Sequence, residues 1–80
     1  ELAPKIRVNA IAPSLTKTPL TEKILANEKT AESIASAHAL KRLGSAEDIA
    51  GLVAYLISAD AAWITGQIIG VDGGRANVTV

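Results

Sequence analysis

An α/β fold built around a parallel sheet is what the sequence of these 80 residues predicts. Three observations carry that expectation. Two short, β-branched, nearly uniformly apolar segments lie toward opposite ends of the chain. Helix-patterned sequence fills the stretch between them. Each apolar segment also ends in a turn signal, Pro13 after the first and Asp72-Gly73-Gly74 after the second. Two strands separated by helical sequence form a crossover unit, expected to be parallel and right-handed. Such a strand–helices–strand unit covers only one face of its sheet, so the predicted fold is incomplete by itself.

The first strand is expected over Ile6-Arg7-Val8-Asn9-Ala10-Ile11-Ala12. It alternates apolar and polar at first and then loses its polar face. That pattern suits a strand buried on both sides. Beyond Pro13, Ile24 and Leu25 and then Ile34 and Ala35 suggest two short helices broken near Asn27, with Glu22, Lys23, Glu28, Lys29 and Glu32 facing water. Gly44 stands where the preceding helix would need a left-handed cap. Ser45, followed three residues later by Asp48, reads as the capping box of a stronger helix, with Glu47 and Asp48 adding favourable charge at its N-terminus. Ile49, Leu52, Val53, Leu56 and Ile57 then form a wide apolar stripe that calls for burial, with Ala50 and Ala54 allowing close approach. The second strand is expected over Gln67 to Val71. Thr65-Gly66 reads as the turn before it, and Trp63 as a partly buried cover for the sheet end. Tyr55, within the apolar helix, reads as a packing residue.

Composition narrows the function classes. The chain is 49% apolar and 20% charged, with 8 basic residues matching 8 acidic ones, which is globular and offers no field to a polyanion. Nucleic acid and anionic membrane surfaces are therefore not expected partners, and no apolar run approaches the roughly 18 residues of a membrane span. Without cysteine there is no disulfide framework, thiol nucleophile or thiolate metal site. A reducing, cytoplasmic setting is compatible with this. The chain opens at Glu1 without methionine, and it is expected to be a piece of a longer protein. A domain this small buries only about 60% of its unfolded surface and is marginal even with a good core.

Chemistry is expected on the loop that leaves the first strand, Pro13-Ser14-Leu15-Thr16-Lys17-Thr18-Pro19, because ligands of open α/β sheets bind beyond the carboxyl ends of the strands. Its three hydroxyl-bearing residues can hydrogen-bond an amide or a phosphate. The plainer alternative is a turn into a helix, with Thr18 as N-cap and Pro19 at the first helical position. Asp72-Gly73-Gly74 reads as a tight strand exit, since it lacks the G-x-G-x-x-G spacing of a phosphate cradle. His38, the one imidazole, has no acidic partner beside it and reads as a surface or hydrogen-bonded structural histidine.

Three segments together, spanning Ile6 to Gly74, resemble the C-terminal third of the short-chain dehydrogenase/reductase family. Ile6 to Pro13 is similar to the family's sixth strand and the start of the loop after it. Arg42-Leu43-Gly44-Ser45-Ala46-Glu47-Asp48-Ile49-Ala50 resembles the R-x-G-x-P-E-D-I-A entry to its last helix. Ile64-Thr65-Gly66-Gln67 through Val71-Asp72-Gly73-Gly74 resembles the I-T-G-x-x-I-x-V-D-G-G signature of its seventh strand.

The resemblance implies that residues 1–80 form the C-terminal part of one Rossmann-type, doubly wound domain. The complete enzyme would use NAD or NADP to interconvert a ketone and a secondary alcohol, and would be a homo-oligomer, often a tetramer, joined through the last helix and strand. It also implies that Pro13, Ser14, Leu15, Thr16 and Thr18 hold the nicotinamide end of the cofactor. In that scheme the Thr16 backbone N–H donates to the carboxamide and the Thr18 hydroxyl lies near the carboxamide or pyrophosphate. Ser14 replaces the family's usual glycine, which would be costly if the backbone there had positive φ. Thr16 stands in place of the usual valine or isoleucine, and Ala46 in place of a frequent proline. The segment Leu20 to Lys41 matches the family's variable substrate-covering region. The glycine fingerprint and the catalytic Tyr-x-x-x-Lys are not among these residues, since Tyr55 has Ala59 four positions on. This chain alone is therefore expected to be inactive. Two other readings stand beside this one: a small noncatalytic protein that self-associates or binds partners through its half-covered sheet, and a nucleotide-binding module, which would lack a phosphate site.

Overall fold

The computed structural model describes residues 3–78. Its elements are β1 (Ala10–Pro13), α1 (Glu22–Leu25), α2 (Glu28–Ser36), α3 (Ala46–Leu56), a 3-10 turn (Ala59–Ala61) and β2 (Ile68–Val71). The strands pair in parallel, Ala10 opposite Ile68 through Pro13 opposite Val71. As the sequence implied, all the helical elements lie between them in the chain.

β1 is shorter than expected and sits further along. Residues 6–9 are held by side chains and by the loop before β2 instead of by a regular ladder. Val8 N–H donates to Thr65 Oγ1 at 3.1 Å, and Val8 C=O accepts from Gly66 N–H at 2.8 Å. The Asn9 side-chain amide sets the register, donating to Ile64 C=O and accepting from Gln67 N–H, each at 3.1 Å. Arg7 reaches across to α3. Its guanidinium donates to Leu56 C=O at 2.9 Å and to Ile64 C=O at 3.0 Å, so a cation satisfies a carbonyl at the helix C-terminus, where no intrahelical partner exists. Pro13 is the last residue of the strand instead of the one after it, and the pairing closes with Ser14 N–H donating to Val71 C=O at 3.4 Å.

α3 begins as expected. Ser45 Oγ accepts from Asp48 N–H at 3.3 Å while the Asp48 carboxylate accepts from Ser45 N–H at 2.7 Å, a complete capping box. The same carboxylate takes both guanidinium nitrogens of Arg42, at 2.7 and 3.0 Å, a bidentate charge-assisted pair. First the Arg42 hydrogen bond, then the Ser45 donors, hold the Asp48 carboxyl well below the ordinary carboxylate range. A carboxylate depressed on folding stabilises the native state above its unfolded pKa of roughly 4 and stops doing so as pH falls through the folded value. Acid titration of the folded protein is therefore expected to cost wild type stability below about pH 4 that an Asp48→Asn variant has already lost. Urea midpoints at pH 7 and pH 3 check this, and equal acid sensitivity in the two proteins would contradict it.

The helical middle also follows the sequence. α1 and α2 break at Asn27, whose Oδ1 caps α2 by accepting from Thr30 N–H at 3.2 Å. The charged residues 22, 23, 28, 29 and 32 face water. The helix start does not follow it: Thr18 and Pro19 lie in a turn, and α1 begins only at Glu22. Gly44 is no left-handed cap. Lys41 takes the positive φ (56°), and Gly44 stays outside that region.

Burial departs most from expectation. Among the described residues only Leu43, Leu56, Ala61 and His38 are buried. The first strand, whose sequence suits burial on both sides, and the second are largely exposed, with Ile68 79% accessible. Of the α3 stripe Leu56 alone is buried, Ile57 is 79% accessible, and Ala50 and Ala54 are open. Tyr55 is not packed, its hydroxyl donating to Asp60 C=O at 3.3 Å, and Trp63 is wholly exposed. The physical reason is common to all of these. A helix stripe and a sheet face hide only against another layer, and the described residues supply one layer on one small sheet. No helix among them is long and apolar enough to cross a membrane.

Candidate functional site at the carboxyl ends of the strands

Both strands run toward the same end of the sheet, where an open cleft of about 310 Å³ is lined by the loop after β1, the turn after β2 and the entry to α3. Ser14, Leu15 and Thr16 form one wall, Arg42 and Asp48 a second, and Asp72 with the glycines after it a third. The volume lies at the lower end of ligand pockets. It suits a single ring with an amide substituent better than a whole dinucleotide.

The wall at residues 14–16 is locked by short bonds. Thr16 pairs with Gly44 as a parallel bridge, with Gly44 N–H donating to Leu15 C=O at 3.2 Å and Lys17 N–H to Gly44 C=O at 2.9 Å. Gly44 is required there for close approach, because a Cβ at this position would lie 3.1 Å from Thr16 Oγ1. Thr16 Oγ1 donates back to Ser14 C=O at 3.0 Å. The Thr21 hydroxyl ties the far end, donating to Thr16 C=O at 2.7 Å and accepting from Thr18 N–H at 3.0 Å. The three carbonyls of residues 14–16 and the N–H groups of Ser14, Lys17 and Thr18 are thus satisfied. The N–H groups of Leu15 and Thr16 donate to no group among the described residues. An ordered loop with two free donors can receive a carbonyl oxygen.

Of the sequence-selected residues, Ser14, Leu15 and Thr16 come together on the cleft. Pro13 precedes them at the end of β1. Thr18 does not line the cleft, and its hydroxyl lies 3.4 Å from Thr21 Oγ1. The feared strain at Ser14 is absent, since its φ is not positive.

Sequence reasoning passed over two residues that build the site. Thr21, three positions after Thr18, forms a local hydroxyl-to-backbone turn that hydroxyl spacing could have revealed. His38 is 1% exposed, and its ring is fully bonded. Nδ1 lies 2.7 Å from Ile34 C=O and Nε2 lies 2.8 Å from Ser14 Oγ. A carbonyl only accepts, so Nδ1 carries the proton. In the neutral ring Nε2 then accepts from the Ser14 hydroxyl. The alternative of a hydrogen-bonded structural histidine is therefore the right one. No local signal in the sequence joins positions 14 and 38.

The exit after β2 packs on this histidine. Gly73 and Gly74 have φ of 59° and 87°, which glycine adopts without strain. Asp72 fixes the turn by accepting from Gly74 N–H at 3.0 Å and Ala76 N–H at 3.3 Å, and Leu40 N–H donates to Gly73 C=O at 3.0 Å. No group of three or more potential metal ligands gathers among the described residues.

Comparison with known proteins gives a consistent picture. The family model described as enoyl-(acyl carrier protein) reductase matches residues 1–76. The 3-oxoacyl-(acyl-carrier-protein) reductase of Thermotoga maritima is 45% identical over 69 residues, which are 86% of this chain and 27% of that protein. A solved 4-hydroxyisoleucine dehydrogenase in complex with NADH superposes with a TM-score of 0.85 at 38% identity, over 92% of this chain and 30% of its own. YwfH, an NADPH-dependent reductase involved in bacilysin biosynthesis, superposes with a TM-score of 0.82 at 41% identity, over 96% of this chain and 33% of its own. The chain thus spans about a third or less of the length of these relatives. It belongs to the short-chain dehydrogenase/reductase family, whose members are oxidoreductases on a Rossmann-type fold.

Proposed function

We propose that this chain is the C-terminal, strand–helices–strand crossover part of a single Rossmann-type domain in an NAD(P)(H)-dependent oxidoreductase, and that residues Pro13, Ser14, Leu15, Thr16 and Thr18 form the loop at the nicotinamide end of the cofactor. The observation that carries this reading is the pair of free N–H groups at Leu15 and Thr16, on a loop otherwise locked by its own bonds. A nicotinamide carboxamide supplies the missing acceptor. The Thr16 N–H meets its oxygen, and Ser14 and Leu15 line the space for the ring. Thr18, tied to Thr21, acts by stiffening the loop.

When bound, the cofactor exchanges a hydride with the carbonyl carbon of a small ketone or, in reverse, takes one from a secondary alcohol. This chain's contribution is to orient the ring. The proton of the alcohol needs a donor elsewhere, because Tyr55 lies on α3 with its hydroxyl committed to Asp60 C=O, and the chain alone is inactive. The exposed α3 stripe and the free edge of β2 are proposed as surfaces covered by the rest of the domain and by a neighbouring subunit.

The test is to assay the full-length protein carrying this sequence against a panel of ketones, following loss of reduced nicotinamide. Turnover with NADH or NADPH is expected. A folded full-length protein that binds neither would overturn the reading. A second reading, a noncatalytic self-associating protein, is favoured by Ile57, Trp63 and Ile68, all largely exposed. An intact mass near 8.2 kDa in the source cells, together with concentration-dependent dimers, would select it.

A further inference from the structure

We infer that His38 is a positioning residue for the nicotinamide-side loop, holding Ser14, and through it Leu15 and Thr16, against the end of the helical segment that precedes α3. This inference rests on the proposed function of residues 13–18. His38 is the only buried polar side chain among the described residues, and it satisfies both ring nitrogens without touching the cleft's free donors. Nδ1 is anchored to Ile34 C=O in the last turn of α2, and Nε2 receives the Ser14 hydroxyl. The ring is clamped from the other side by Gly73, where an added Cβ would stand 3.6 Å from His38 Cβ and Cδ2.

Ser14 is thereby held at three points. Its N–H goes to Val71 C=O, its C=O receives Thr16 Oγ1, and its hydroxyl goes to His38. The first two fix the backbone to β2 and to the loop itself. Only the third connects Ser14 to the end of α2, so a displacement of that helix end reaches Ser14 through the imidazole, whereas the bond from Thr21 Oγ1 to Thr16 C=O ties the loop to the start of the segment. The position of the α2 end and the grip of the loop on a carboxamide are therefore coupled through one buried hydrogen bond.

Substitutions separate the two bonds of the ring. His38→Asn can keep a donor for Ile34 C=O while removing the acceptor for Ser14. His38→Gln can extend an acceptor toward Ser14. Ser14→Ala removes the hydroxyl and leaves the helical segment untouched. Dissociation constants for NADH and NADPH are read by nucleotide fluorescence on the full-length protein, with thermal midpoints alongside. His38→Asn and Ser14→Ala are each expected to weaken the preferred cofactor about tenfold, as for one lost buried hydrogen bond. His38→Asn raises the KM for cofactor while leaving kcat within about threefold. The double variant is expected to be no weaker than either single one, because both remove the same bond, and His38→Gln recovers part of the affinity.

Ser14→Ala binding like wild type, or additive losses in the double variant, would overturn the inference. A wild-type protein that binds neither cofactor would instead overturn the function on which it rests. If His38→Asn fails to fold, Ser14→Ala together with the hydrogen-exchange rate of the amides at positions 14 and 17, which donate to Val71 C=O and Gly44 C=O, decides. Faster exchange in that variant is expected, and unchanged exchange contradicts the coupling.

Discussion

Replacing Gly74 by valine is expected to destabilise the protein by about 3 kcal/mol or more, combining left-handed backbone in a residue with a Cβ and forced overpacking. The backbone there has φ of 87°, and an added Cβ would stand 2.9 Å from Ala39 Cβ and 3.3 Å from Val78 Cγ2. Neither neighbour is the far end of a flexible chain, so the clash must be relieved by moving backbone. The turn after β2 would lift away from residues 38–40, taking with it the Gly73 contact on His38 and the bond from Leu40 N–H to Gly73 C=O. Urea unfolding of the full-length protein reads the effect, with Gly74→Ala expected to show part of the loss. An unchanged midpoint in the valine variant would mean that the strand exit is not packed on the helical segment.

Gly44→Val is expected to act on binding more than on folding. Its φ lies outside the positive region, so a Cβ brings no backbone strain. Space is the obstacle, because the new Cβ lies 3.1 Å from Thr16 Oγ1 and 3.6 Å from Leu15 C=O. Thr16 must shift, and with it the N–H proposed to meet the carboxamide. Cofactor affinity is expected to drop about tenfold, as for one lost hydrogen bond, with little change in thermal midpoint. Gly44→Ala should lose less, since a few tenths of an ångström suffice. Adding Thr16→Ala to Gly44→Val removes the obstructing side chain and is expected to restore part of the affinity. A double variant as weak as Gly44→Val alone would separate Gly44 from the loop.

What was legible in the sequence is what neighbouring residues decide among themselves. The Ser45–Asp48 box, the Asn27 break and the turn residues at 65–66 and 72–74 are short-range devices, and each is where local chemistry placed it. The parallel pairing also followed, from two apolar segments with helices between them. The largest misreadings concern burial. Trp63, Tyr55, Ile57 and the strand faces carry apolar side chains whose sequence pattern signals a covering layer, and the layer is not among these residues. Periodicity tells which face is to be covered, never what covers it.

The site was legible in the same partial way. The loop is a candidate because it leaves a strand at its carboxyl end, and the resemblance named its residues. Its rigidity depends on Thr21, a few residues on, and on Gly44 and His38, which meet it only after the chain has turned back. Position 38 lies 24 residues from Ser14, and no rule of local spacing pairs them. Gly44 was assigned the right residue type for the wrong reason, close approach being as demanding of glycine as a left-handed cap.

The bond proposed for the cofactor runs from the Thr16 N–H to the carboxamide of the nicotinamide. It is tested most directly by the affinity of the full-length protein for NADH and NADPH in wild type, Thr16→Val and Thr16→Pro. Valine keeps the N–H and proline removes it. A Thr16→Val affinity within about threefold of wild type and a loss of about tenfold or more in Thr16→Pro are expected, with both proteins folded. Equal affinity in all three would show that the Thr16 N–H takes no part in holding the cofactor, and the assignment of this loop would fall with it.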